Sequence, residues 1–141
     1  MTTQPLFGTR LRPIKHSVLL LLLLLLGIPM PLRAAQLVAA RYVRMTGTEV
    51  VVEISISEPP PPTLIVVQRL PAQASVLQAQ PPTNSVNSSK GMVKWLLRGV
   101  RSGTLAIRLT LEQPVTGGEV SGEVRYRAAG GGMVTIPIAR Q

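Results

Sequence analysis

The chain has 141 residues, with fifteen Lys and Arg against six Asp and Glu, one histidine and no cysteine. The missing thiols exclude a disulfide framework, a thiolate metal site, a cysteine nucleophile and a lipid-anchored cysteine at an export site. Once the leader described next is set aside, about 105 residues remain, enough for one domain with a modest core held by packing alone.

Residues 1–17 carry Arg10, Arg12, Lys15 and His16 and no acid, and Leu19–Leu26 is a run of eight leucines. Gly27, Pro29 and Pro31 then break the helix, and small residues follow at Ala34-Ala35 and Ala39-Ala40. A charged start, a short apolar middle and a small-residue end predict a secretory signal peptide over 1–35, leaving a domain over 36–141. Cleavage is expected near Ala35. A cut after Ala40 is the alternative, and it would remove part of the first strand. The unbroken apolar run is about half the roughly 20 residues needed to cross a bilayer, so the retained anchor is the competing reading. The expectation is export by the general secretory route to the periplasm, cell surface or medium, with membrane contact only through this segment.

Past the leader, apolar side chains recur at every second position, the period of a strand with one buried face. Gln36 to Met45 alternates weakly through Val38, Ala40 and Tyr42, and Thr46-Gly47-Thr48 is a turn. Glu49 to Ser57 alternates clearly, with Val50, Val52, Ile54 and Ile56 on one side. Pro59 to Pro62 cannot donate ladder hydrogen bonds and reads as a stiff connector. Leu64 to Val67 is continuously apolar, as in a strand buried on both faces near a sheet centre. Ser75 to Ala79 is a short strand, and Pro81 to Gly91 is the longest loop.

Met92 to Leu111 is the best-specified stretch. Val93, Trp95 and Leu97 alternate on one side of Gly99–Gly103, and Leu105, Ile107, Leu109 and Leu111 on the other, which predicts a β-hairpin with a five-residue loop. The single tryptophan, Trp95, is the expected core centre, because burying it removes roughly 150–250 Å² from water. The core list is Trp95, Val93, Leu97, Leu105, Ile107, Leu109, Val52 and Ile54. Glu112 to Gly118 is expected to turn. Glu119 to Arg127 alternates with Val120, Gly122, Val124 and Tyr126 inward, Ala128–Gly132 is a flexible loop, and Met133–Ile138 is an edge strand that tolerates Pro137. Seven to eight short strands at roughly ten-residue spacing predict an all-β fold, an antiparallel β-sandwich of immunoglobulin-like size behind the signal helix. A small barrel is the other arrangement these strands permit.

Leu70-Pro71, Val93-Lys94-Trp95, the Gly99–Gly103 turn and the alternating Thr104–Leu111 together resemble the immunoglobulin-like repeat domains of bacterial cell-surface and secreted proteins. In that pattern a Leu-Pro pair precedes a short strand, and a Val-x-Trp strand leads through a Gly turn into a Leu/Ile/Thr strand. The resemblance covers about forty residues. It implies a structural or adhesive module and carries over no catalytic residue. Such domains usually occur in multidomain chains.

The exported region lacks His, Cys and Asp, since His16 lies in the leader. That excludes a Ser/His/Asp arrangement, a His-ligated zinc and an Asp-rich calcium loop, so no cofactor, metal or enzymatic activity is expected. Glu49 with Glu53 and Glu119 with Glu123 stand roughly 13 Å apart along a strand, too far for a glycosidase pair. Nucleic-acid binding is excluded for want of stacking aromatics, because Tyr42, Trp95 and Tyr126 all fall at inward positions. The expectation is a non-enzymatic contact protein of the cell envelope or matrix, bound to an envelope or surface protein or self-assembled through its first or last strand. The alternative is a module binding an anionic polysaccharide through a basic face, with Arg125, Arg127 and Arg41 as the candidate residues.

Overall fold

The computed structural model describes residues 36–140, so the expected leader at 1–35 lies outside the described residues. Period-two alternation becomes strand throughout: β1 (Val38–Ile56), β2 (Thr63–Arg69), β3 (Val76–Gln80), β4 (Ser85–Asn87), β5 (Met92–Arg98), β6 (Gly103–Val115), β7 (Ser121–Arg127) and β8 (Met133–Pro137). They form two sheets, ordered β1-β6-β3 and β4-β5-β2-β7-β8, and every strand pair is antiparallel. The fold is all-β, as expected, and its only helical pieces among the described residues are single 3-10 turns at Ser88–Lys90 and Gly117–Glu119.

β1 is one run of extended backbone that doubles back on itself. Straight, it would separate Arg41 from Glu53 by roughly 40 Å, yet an Arg41 guanidinium nitrogen lies 2.6 Å from the Glu53 carboxylate. Arg44 likewise meets Glu49 at 2.7 Å, and the Ser57 N–H donates to the Leu37 carbonyl at 2.8 Å. The reversal falls at Gly47, whose φ of +74° is a left-handed conformation open to glycine at little cost. The second half of β1 pairs with β6. The first half reaches the other sheet through Ala139, which donates to Ala40 and accepts from Tyr42. The edge of the first half of β1 is therefore covered at Ala40 and Tyr42 by this one bridge. The strands at the ends of the two sheets are β1 and β3, and β4 and β8.

The Met92–Leu111 hairpin is overturned. β5 pairs with β2 and β4, whereas β6 pairs with β1 and β3 in the other sheet. The cause lies in the proline run. The β1/β6 ladder ends at Ile56 and Gly103, and a new ladder opens at Thr63 and Arg98. Between those points 57–62 and 99–102 cross from sheet to sheet side by side, tied where the Gly99 N–H donates to the Pro62 carbonyl and Ser102 meets the Glu58 carboxylate. Pro59–Pro62 cannot extend a ladder, so both connections leave the sheet together.

Inward side chains from both sheets form one core. Trp95, Val93, Ile107, Leu109, Val52 and Ile54 are buried within it, while Leu97 and Leu105 are partly buried at its margin. Trp95 is fully buried, and its indole N–H donates to the Pro81 carbonyl at 2.9 Å. The Pro81–Gly91 segment is more than a loop, since it contains β4 and a 3-10 turn in which Asn87 Oδ1 accepts from the Lys90 N–H. The expected turn at Glu112 begins late: β6 runs to Val115, which pairs with Gly47, and Pro114 is accommodated beyond the stretch that pairs with β3.

Candidate functional site

The two sheets present different outer faces. On the three-stranded sheet Glu53 binds Arg41 and Glu49 binds Arg44 and Arg108, while Glu112 on β6 is exposed with no ion pair among the described residues, so three carboxylates stand against three arginines. Arg41 is thus on this face, engaged with Glu53, and stands apart from Arg125 and Arg127. The structure does not bring the three candidate arginines together.

Arg125 and Arg127 lie on the outer face of the five-stranded sheet, two residues apart on β7. The register aligns Arg125 with Ile65 on β2 and Thr135 on β8, and Arg127 with Met133. β5 presents Lys94 opposite Val67 and Arg98 opposite Thr63, and β2 adds Arg69. This face therefore carries five cations against one carboxylate, Glu123, which meets Arg125 and, at 3.8 Å, Arg69. Lys94, Arg98 and Arg127 are exposed and make no ion pair among the described residues. Only Arg125 and Arg127 of the five belong to the expected site. Lys94, Arg98 and Arg69 fall outside the expected site, because their place on this face depends on the strand order.

Between the cations runs an apolar strip of Ile65, Val67 and Leu96. Val67 is only 4% exposed although it faces outward, because its neighbours on the flanking strands are Lys94 and Glu123. Long basic side chains cover apolar surface in this way while keeping their charges in water. At the start of β2, beside the end of β7, the surface opens into a depression of about 280 Å³ lined by residues including Pro62, Thr63, Ile65, Arg125, Arg127 and Met133. Met133 is 57% exposed there.

A second polar cluster lies inside. Gln68 is 1% exposed, at an inward position between Val66 and Leu70. Its Nε2 donates to the Tyr42 hydroxyl at 2.8 Å and to the Ser121 carbonyl at 2.8 Å, and the Tyr42 hydroxyl is 3.1 Å from its Oε1. No buried side-chain polar atom among the described residues is left unpaired. Burial pushes the Tyr42 phenol above its ordinary value, opposed by the Gln68 hydrogen bond and the nearby Arg140 charge. The cluster joins β1, β2 and β7 as a tie inside the core.

Glu119, expected on the strand face with Glu123, sits instead in the 3-10 turn. Its carboxylate accepts from the Thr116 backbone N–H at 2.9 Å and the Thr116 hydroxyl at 2.8 Å. These bonds hold its carboxyl below the ordinary range. Among the described residues no group of His, Cys, Asp or Glu could hold a metal ion. No family model matches the chain, and no curated protein or solved structure is significantly similar to it.

Proposed function

We propose that this chain is an exported, non-enzymatic β-sandwich of the immunoglobulin-like kind that acts by contact with an anionic component of the cell envelope. Its working surface is the outer face of the five-stranded sheet. The supporting observation is the segregation of charge: one outer face balances Arg41, Arg44 and Arg108 against Glu49, Glu53 and Glu112, while the other sets five cations against Glu123 alone and exposes Lys94, Arg98 and Arg127 unpaired around an apolar strip. Such a face attracts a polyanion by long-range steering and holds it by close charge contacts, and both effects weaken with salt. Two sheets with their inward side chains in one core, and the expected leader, support the sandwich and export parts of this reading.

The test is binding of the protein to polyglutamate and to polygalacturonate. Arg125→Glu with Arg127→Glu is compared with Arg44→Glu with Arg101→Glu, an equal change of charge elsewhere. The expected result is salt-sensitive binding lost in the first variant and largely kept in the second. Equal losses in both would mean that net charge alone is responsible and would overturn the reading.

A further inference from the structure

Resting on the reading that this face takes an anion, we infer that its partner is an extended acidic protein segment that adds to the open edge of β8 beside Arg125 and Arg127. The hydrogen-bond phase of β8 carries the first step. Ile138 donates to the Gly122 carbonyl, and at the other end of the β7/β8 pair Ala128 donates to Gly132. An antiparallel ladder alternates strictly, so Val134 and Ile136, lying between those points, also bond to β7. Met133, Thr135, Pro137 and Ala139 therefore turn their backbone groups away from β7.

Along that outward line the chain has already dealt with one end. Ala139 is taken by β1, through Ala40 and Tyr42. Pro137 has no N–H to offer, which is why it costs the strand nothing there. What is left open is the N–H and C=O of Met133 and Thr135 and the C=O of Pro137, which have no backbone partner among the described residues. This is a short edge, too short to recruit a strand by backbone bonding alone, and so it needs a second source of affinity.

The second source is the charge beside it. A segment added to β8 would place alternate side chains on the outer face, about 6.6–6.8 Å apart, which is also the spacing of Arg125 and Arg127 along β7. Its residues opposite Met133 and Thr135 would stand two strand spacings, roughly 9.6 Å, from Arg127 and Arg125. An arginine reaching across the strand between and a glutamate reaching back span that gap. The carboxylates meet Arg125 and Arg127 over the exposed Met133, which lies under their methylene stems and borders the depression on the β2 side. A polysaccharide acid could meet the arginines, but it has no amide ladder to complete the edge.

The experiment uses the protein as recovered from the expressing cell. One probe is a ten-residue peptide with glutamate at alternate positions, and the other is polygalacturonate. Thr135→Pro removes an outward N–H and leaves the β7 ladder intact, as Pro137 already does. It should weaken the peptide about tenfold and leave polygalacturonate binding unchanged. In an antiparallel addition the residues opposite Met133 and Thr135, the glutamates, turn their N–H groups to β8, so a peptide N-methylated at those glutamates tests the same bonds without altering the protein and should lose binding similarly. Peptide binding indifferent to both changes, while Arg125→Glu with Arg127→Glu still abolishes it, would overturn strand addition and leave the anionic face standing. Failure of both probes to bind the unaltered protein would overturn both proposals.

Discussion

Gly122→Ala separates backbone propensity from packing, because the two predict opposite signs. Glycine inside a strand costs conformational entropy, so alanine at an ordinary strand position stabilises by about 0.4–1 kcal/mol. At Gly122 a Cβ would lie 2.6 Å from Ile138 Cδ1, 2.9 Å from Gln68 Oε1 and 3.0 Å from the Tyr42 hydroxyl. Ile138 can shift, at an overpacking cost of about 1–3 kcal/mol. Gln68 cannot move without loosening its bonds to Tyr42 and Ser121 in a buried site, and a buried polar group left unpaired costs about 1–3 kcal/mol more. After the entropy gain, the net expectation is a destabilisation of about 2–4 kcal/mol, a large share of the about 5–15 kcal/mol typical of a domain. Urea denaturation followed by far-ultraviolet circular dichroism measures it. The same substitution in a Tyr42→Phe background should cost less, because part of the crowded polar contact is already gone. An unchanged or raised urea midpoint would refute the argument that these three side chains are packed without slack.

Trp95→Ala should destabilise by about 3–5 kcal/mol, and Trp95→Phe by less, since the phenyl ring fills most of the site and only the bond to Pro81 is lost; the same urea assay checks both. Because the folded state raises the Tyr42 phenol above its ordinary 10.0, stability should be whole below that pH and fall as pH rises through the raised value. The urea midpoint of Tyr42→Phe should lack that portion of the alkaline decline. Glu119 is lowered from 4.5, so its contribution is present above that pH and is lost as pH falls through the lowered value. The midpoint difference between the protein and Glu119→Gln should accordingly close on acidification, and a difference constant with pH would show that the Thr116 bonds do not form in solution.

Inward and outward faces were readable because they depend only on parity, as with Val93, Trp95, Ile107 and Ile54. Strand partnership was not, because a residue's alternation is the same whether its strand pairs with its neighbour in sequence or crosses to another sheet. The hairpin expected at Met92–Leu111 failed for this reason. Its correction was latent in Pro59–Pro62, which forces the neighbouring connection out of its ladder and takes Gly99–Ser102 with it. The candidate arginines divide for the same reason: Arg41 shares outward parity with Arg125 but belongs to the other sheet. Gln68 did leave a signal, as the one polar residue at an inward position of β2, and an inward glutamine requires partners that only the folded chain could identify.

The fold itself limits where a partner strand can attach. A glycine at 47 lets β1 double back, so its second half completes one sheet while its first half reaches Ala139 at the rim of the other. That contact closes the far end of the β8 edge, Pro137 leaves only a carbonyl at the next position, and Met133 and Thr135 are the only residues of β8 with both backbone groups open. A long bare edge would recruit strands of any composition, its own copies included. Two residues of edge cannot, so selectivity passes to the side chains beside it, and these are Arg125 and Arg127. The same short edge that guards against indiscriminate pairing makes attachment depend on the acidity of the incoming segment.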